Sequence, residues 1–222
     1  MKKAKPWLFI IAGVVFILVA VALLTLTQID NYRAGQRADS VMERILNGEW
    51  EQSDETDPNI LFAAPVPSAV ALELTDDELG FDLEEEGPRV PGAPLEYSVI
   101  GILEIPKLRK KLPVLDRSIS VLLNISVCRY SGRVNEKPVR LVIAGHNLKS
   151  YFGQIKTLES GDEILFTPKD GETIRYNVIR IDECHQSDIE GVQAGADWDI
   201  TLLTCKKERT KRLLVRCAEI SE

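Results

Sequence analysis

The chain has 222 residues, of which 45% are hydrophobic and 27% are charged, and its net charge is −7. This length allows one domain of ordinary size plus accessory segments. The acidity is confined to residues 29–95, which carry −12, whereas residues 1–28 carry +3 and residues 96–222 carry +2. A near-neutral C-terminal block lacks the dense basic surface that nucleic-acid binding requires, so no nucleic-acid partner is expected.

An uncharged, mostly aliphatic run extends from Trp7 to Thr27, directly after a tail, residues 1–6, that contains three lysines. Twenty-one helical residues would span roughly 30 Å, so the run predicts a single-pass membrane anchor. The lysines predict a cytoplasmic N-terminus and place the rest of the chain outside the cytoplasm. The alternative is a cleaved signal peptide, since Ala20-Val21-Ala22 resembles a cleavage site. Because the apolar run continues through Leu26, a retained anchor is favoured.

Residues 28–95 are predicted to form a stem in two parts. Ile29–Trp50 has apolar residues near one helical face and predicts a helix. Residues 51–94 are acidic and rich in proline, which is typical of a disordered spacer. The alternative for this second part is a lid over a binding site, with Asp57-Pro58 as its contact point.

From residue 96 onward the sequence changes to short β-type runs separated by turn residues, which indicates an all-β barrel or sandwich domain over 96–222. Short helices are expected over Leu115–Ile119 and Ser150–Leu158. The predicted strands are Val99–Ile105, Val121–Leu123, Val139–Ala144, Asp162–Thr167, Thr173–Asp182, Ile200–Cys205 and Arg212–Ala218.

The last two predicted strands are close enough in sequence to form a hairpin, with Cys205 near the end of the first strand and Arg212 at the start of the second. Because side chains alternate between faces, a register that pairs Cys205 with Arg212 also pairs Thr201 with Arg216. A guanidinium beside a thiol favours the thiolate and can stabilise an oxyanion. Arg212 is therefore preferred over Arg209, which falls in the predicted turn, and over Arg216, which lies deeper.

A cysteine nucleophile needs an acid–base partner, and the chain has two histidines. His146 follows the apolar run Leu141–Gly145, so a strand would deliver it to the rim of the sheet. His185 lies in a polar stretch without such a run, and we interpret it as solvated or structural. His146 is the predicted partner of Cys205.

The other cysteines are Cys128, Cys184 and Cys217. Outside the cytoplasm, four cysteines could form two disulfides, and their pairing stays open. No C-x-x-C pair is present, so a structural zinc site is poorly supported. Cys217 has the opposite parity from Arg212, and packing is the expected role for both Cys217 and Cys128.

Three segments resemble the sortase family in the right order along the chain. Thr201–Cys205 matches the T-L-x-T-C signature, Ala144–Asn147 looks like the segment that holds the sortase histidine, and Thr210–Arg216 looks like the strand that holds its arginine. The similarity extends over roughly residues 97–218, including Ile105–Leu108 near its start.

The resemblance implies a closed eight-stranded β-barrel and a cysteine transpeptidase that needs no cofactor or metal. Cys205 would attack an LPxTG-like sorting signal of a secreted protein, Arg212 would stabilise the oxyanion, and His146 would protonate the leaving amine. The thioacyl-enzyme would then pass to an amine of a peptidoglycan precursor or of a pilin. The expected substrate-binding residues are Leu203, Thr204, Trp198 and Asn147.

Several alternatives stay open from the sequence. An extracytoplasmic cysteine peptidase that hydrolyses its thioester would use the same residues, and a non-catalytic, membrane-anchored binding module is the third reading. Trp198 either lines the substrate groove or packs at its edge. The short loop before Ile200 leaves little room for the inserted helix typical of class B sortases. Because no second apolar segment follows the domain, protein anchoring is modestly favoured over pilus assembly.

Overall fold

The structure is a computed structural model that describes residues 6–54, 95–133, 140–193, 197–206 and 210–220. Its helices are α1 (Pro6–Leu46), α2 (Ser120–Leu123) and α3 (Ile189–Gln193), with 3-10 turns at Pro106–Leu108 and Ile155–Thr157. Its strands are β1 (Glu51–Asp54), β2 (Leu95–Ile105), β3 (Lys110–Leu115), β4 (Val127–Ser131), β5 (Leu141–Ala144), β6 (Glu163–Pro168), β7 (Ile174–His185), β8 (Ile200–Cys205) and β9 (Lys211–Glu219).

Eight strands close into a barrel. Their order is β2-β3-β4-β5-β8-β9-β7-β6, and pairing between β2 and β6 joins the two edges. The pairs β3–β4 and β5–β8 are parallel, and the other barrel pairs are antiparallel. The predicted closed eight-stranded β-barrel with short helices is therefore confirmed.

Apolar side chains form two buried clusters on opposite sides of the barrel wall. The inner cluster takes residues from all eight barrel strands, such as Ile143 and Leu202, and fills the barrel. The outer cluster includes Ala144 and Leu203, the next residues along the same strands, and it is covered by α2 and by Val192 of α3. This alternation follows from the two-residue period of a strand, and it assigns Cys205 to the outer face.

Two local predictions were wrong. Val121–Leu123, predicted as a strand, lies in α2, because a short apolar run has the same appearance in a buried helical turn and in a strand. The helix predicted at Leu115–Ile119 is absent from these residues, since Leu115 ends β3 and α2 begins at Ser120. Within Ser150–Leu158 only Ile155–Thr157 is helical, as a 3-10 turn.

The N-terminal part of the described chain is one continuous helix, α1, which contains most of the helix predicted at residues 29–50. Its second half lies on the barrel, where Ala34, Ala38, Val41 and Ile45 are at most 4% exposed. β1 then pairs with β2 in antiparallel fashion, so part of the predicted spacer is a strand. The spacer residues 55–94, with the predicted lid contact at Asp57-Pro58, lie outside the described residues.

Within the part of the chain that the structure describes, no helix is long and apolar enough to cross a membrane. The transmembrane anchor predicted for residues 7–27 is therefore not supported.

Candidate active site

The predicted hairpin is present, with the predicted register. β8 pairs with β9 so that Cys205 lies opposite Arg212 and Thr201 lies opposite Arg216. Paired residues of an antiparallel ladder point to the same face, so the thiol and the guanidinium share the outer face at the turn end of the hairpin. The arginine nearer the turn, Arg209, lies outside the described residues.

β5 brings His146 to the same edge of the sheet. β5 runs parallel to β8, with Ala144 opposite Leu203, and the Gly145 amide donates to the Leu203 carbonyl at 3.0 Å. His146 lies two residues beyond Ala144, as Cys205 lies two residues beyond Leu203. Parallel strands end at a common edge, so the structure brings together the three residues that the sequence predicted: Cys205, His146 and Arg212.

Gly145 permits this delivery because a side chain would not fit between β5 and His146. A Cβ atom at this position would lie 2.8 Å from Val127 Cγ1 and 2.9 Å from Phe152 Cδ2. The chain then turns sharply, and the Phe152 amide donates to the His146 carbonyl at 3.1 Å. A residue without a Cβ atom is therefore required directly before His146.

Burial keeps both reacting groups predominantly neutral. Burial raises the pKa of the Cys205 thiol above its ordinary value, and the Arg212 cation opposes this shift with a smaller effect. Burial also lowers the pKa of the His146 imidazole. Near neutral pH the thiol and the neutral imidazole are thus the main forms, and the thiolate–imidazolium pair is a minor population.

Arg212 is 1% exposed, and its guanidinium carbon lies 5.9 Å from the centre of the Tyr130 ring of β4. On its other side β7 pairs with β9, which places Cys184 opposite Arg212. Sequence reasoning missed Tyr130 and Cys184 as neighbours of this arginine, because no short hairpin connects their strands to β9. Only the barrel order could have identified them.

Trp198 lies just before the start of β8, the strand that ends at Cys205, and packs against two arginines. It is 8% exposed, and its ring lies 4.1 Å from the guanidinium carbon of Arg216 and 5.2 Å from that of Arg180. Arg216, which is 1% exposed, also donates to the carbonyls of Val192 and Gly191 at 2.6 and 2.5 Å. The stacked arginine thereby fastens α3 to the hairpin that carries Cys205.

The other predicted substrate-binding residues differ in exposure. Leu203 is fully buried in the outer cluster, and the buried Thr204 hydroxyl donates to the Gly145 carbonyl at 2.7 Å. Asn147 is exposed beside His146. Their contact with substrate stays a prediction.

All four cysteines are free thiols. Cys128 and Cys217 are fully buried, as expected for packing residues, and burial raises the pKa of both.

A model of the sortase domain matches residues 103–220, which is more than half of the chain. No match was found among curated proteins. Similar solved structures include sortase C of Streptococcus pneumoniae, which is 25% identical with a TM-score of 0.51, over 56% of this chain and 70% of that one.

Two further similar structures are sortase C enzymes with 28% identity. The enzyme of Clostridium perfringens SM101 has a TM-score of 0.50, over 56% of this chain and 71% of that one. The pilus-related sortase C of Group B Streptococcus has a TM-score of 0.52, over 65% of this chain and 81% of that one. The chain belongs to the sortase family.

Proposed function

We propose that the chain is a cysteine transpeptidase that cleaves an LPxTG-like sorting signal and transfers the protein to an amine. The observation that carries this proposal is the strand register, which pairs Cys205 with Arg212 and ends β5 and β8 at one edge. A nucleophile, a cation for the oxyanion and an acid–base group are the parts that acyl transfer requires.

The reaction begins with attack of the Cys205 thiolate on the carbonyl carbon of the scissile peptide bond. Arg212, held on the same face, stabilises the negative charge that develops on the carbonyl oxygen. His146, in its imidazolium form, donates a proton to the leaving amine as the peptide bond breaks. A thioester and neutral imidazole remain. The imidazole then accepts a proton from the incoming amine as that amine displaces Cys205.

The acceptor is proposed to be a pilin or a peptidoglycan-precursor amine. Likeness to the pilus-related sortase C of Group B Streptococcus favours the pilin amine. The pneumococcal neighbour is likewise described in terms of pilin substrate specificity. These likenesses therefore favour pilus assembly, whereas the sequence modestly favoured protein anchoring.

We further propose that the catalytic domain acts outside the cytoplasm. The support is from sequence: an uncharged run at residues 7–27 follows three lysines. Labelling intact cells with an impermeant thiol reagent would test this location. Protection of Cys205 in intact cells, with labelling only after lysis, would refute it.

One experiment distinguishes transfer to an amine from hydrolysis of the thioester. The full-length chain is incubated with a Leu-Pro-X-Thr-Gly peptide, with and without a lysine-containing peptide or an oligoglycine amine, and the products are identified by mass spectrometry. Transfer predicts an amide product that depends on the acceptor. A free-acid product in every reaction would support the hydrolytic peptidase instead.

Cys205→Ala provides the control for catalysis. The variant is expected to form no thioacyl adduct and no product, because the nucleophile is absent. Peptide binding without turnover by both the original chain and the variant would favour a non-catalytic binding module.

A further inference from the structure

The segment that carries His146 is folded into a tight turn. The Phe152 amide donates to the His146 carbonyl at 3.1 Å, and the amides of Tyr151 and Gly153 donate to the Leu148 carbonyl at 3.0 and 2.8 Å. We call residues 146–153 the His146 turn. Because its hydrogen bonds link its two ends, a shift of its outer part is transmitted to His146.

The inner side of the His146 turn is fixed by the barrel. Phe152 is fully buried in the inner cluster, and its ring lies against Gly145 so closely that no side chain fits there. This contact fixes the depth of the turn. It leaves residues 148–150, which are less buried, to be held by other elements.

Helix α1 supplies that support. The Lys149 amide donates to the Asn31 side-chain carbonyl at 2.9 Å, and the Ser150 hydroxyl donates to the Asn31 backbone carbonyl. The Tyr151 hydroxyl lies 3.0 Å from the Ala34 carbonyl. Three successive residues of the turn thus contact one helical turn of α1, although more than 110 residues separate them in sequence.

Small side chains allow this close approach. Ala34 and Ala38 are each 3% exposed in the inner cluster, next to Tyr151 and Phe152. Lys110 of β3 also donates to the Ser150 carbonyl at 3.0 Å. The turn is therefore held by both α1 and β3.

We propose that Asn31 is a positioning residue for catalysis: by fastening the His146 turn, α1 sets the place of the imidazole relative to Cys205. The proposal rests on the transpeptidase function, because His146 must reach the leaving amine. A displacement of about 1 Å in a reacting group can reduce a rate by as much as about 10²-fold. By contrast, Cys205 and Arg212 are positioned by the β8–β9 register, on other elements.

The test compares Asn31→Leu with Asn31→Asp in the full-length chain. Leucine removes the acceptor of the Lys149 amide at nearly constant volume, whereas aspartate keeps an oxygen in that place. Gln36→Ala, on the exposed side of the same helix, is the control. Asn31→Leu is expected to lower kcat about tenfold, within the range for such displacements, with KM for the peptide nearly unchanged. Asn31→Asp and Gln36→Ala should stay near the original rate.

A second measurement does not need activity. The chain has two histidines, so the imidazole nitrogens give two sets of NMR signals. His185 is exposed, and its Nδ1 is hydrogen-bonded to the Ser187 hydroxyl. Its signals serve as the internal reference. Asn31→Leu should shift the His146 signals and leave those of His185 in place.

The outcomes separate the inference from the function on which it rests. Unshifted His146 signals in Asn31→Leu would overturn the inference, whether or not the chain is active. Equal loss of kcat in the leucine and aspartate variants would also overturn it, because the hydrogen-bond acceptor would not be the cause. An inactive original chain with shifted His146 signals would refute the proposed function and leave the positioning of His146 supported.

Discussion

At the scale of single residues, the candidate active site combines two half-buried groups, Cys205 and His146, and the pKa shifts of both disfavour the reactive thiolate–imidazolium pair. Burial raises the pKa of Cys205 and lowers that of His146, so the thiolate–imidazolium pair is a minor form. Arg212 is the nearby cation that favours the thiolate. The proposed reaction therefore depends on Arg212 both for the nucleophile and for the oxyanion.

We expect a broad, bell-shaped pH profile for kcat/KM. The reactive form carries one proton on the pair, so its population rises with pH through the lowered pKa of His146 and falls through the raised pKa of Cys205. Initial rates across the pH range will check this. An acidic limb above the ordinary histidine pKa would contradict the shift assigned to His146.

Arg212→Ala should reduce kcat/KM by roughly 10²- to 10³-fold, because the oxyanion loses its charged donor. It should also move the pH dependence of Cys205 alkylation upward, since the cation that lowers the thiol pKa is gone. Iodoacetamide kinetics against pH measure this shift. Exposed Arg175→Ala is the matched control and should leave both quantities unchanged.

Arg216→Met should destabilise the fold by roughly 2–4 kcal/mol, because the buried Val192 carbonyl and the half-buried Gly191 carbonyl would lose a charged donor. Urea unfolding gives the free energy of unfolding. Arg175→Met, which removes a surface ion pair with Glu163, should cost no more than about 1 kcal/mol. Equal losses for the two variants would argue against the buried network.

At the scale of elements, the site is assembled from the ends of two parallel strands and from one hairpin. β5 and β8 run side by side and end together, so residues 59 positions apart meet at one edge. The β8–β9 hairpin adds Arg212 directly beside Cys205. Each strand has a buried inner face that fixes its register, since a slip of one residue would turn its inward-facing side chains to the opposite face of the sheet.

Gly145→Ala should lower stability by about 1–3 kcal/mol, because the new methyl group would overlap Val127 and Phe152. It should also reduce kcat, since the His146 turn would move. Thermal unfolding and peptide kinetics measure the two effects.

Gly35→Ala is the matched control on α1, where a Cβ atom would meet Ser150 Oγ at an ordinary 3.6 Å. Alanine has the higher helix propensity by about 1 kcal/mol, so this variant should be slightly more stable than the original chain. If Gly145→Ala and Gly35→Ala both lowered stability, the difference in space around the two glycines would not explain the result.

At the scale of the whole molecule, the folded unit begins well before the barrel. The second half of α1 contributes apolar side chains to both buried clusters, and β1 pairs with β2. Arg37 adds a hydrogen bond from α1 to the Asn124 carbonyl at 3.2 Å. The helix and the barrel should therefore unfold together.

A chain that starts at residue 95 should unfold at a lower temperature than one that starts at residue 29. The shorter chain loses the burial of Ala34, Ala38, Val41 and Ile45 and the pairing of β1 with β2. Calorimetry of both chains measures the difference. Identical unfolding temperatures would show that α1 contributes nothing to the stability of the barrel.

Much of the site could be predicted from local patterns. The β8–β9 hairpin has a short connection and alternating side chains, so a register that pairs Cys205 with Arg212 could be predicted with the help of the family resemblance, and it is confirmed. β3 and β4 were missed, because Lys110–Leu115 contains Pro113 and two lysines, and β4 contains Arg129 and a break in its pairing with β5.

By itself, the sequence indicated an all-β domain through its alternation and turn residues, and its resemblance to the sortase family predicted the closed barrel and the nucleophile Cys205. The choice of Arg212 as its cationic neighbour rested on the hairpin register and on the resemblance together. Only the tertiary structure decided which residues surround them. Tyr130 and Cys184 reach Arg212 through strands distant in sequence, and Trp198 packs on Arg216. The contact of Asn31 with the His146 turn is likewise set by the packing of α1 on the barrel. Long-range contacts of this kind leave no periodic signal in the chain, since they are fixed by how the elements pack.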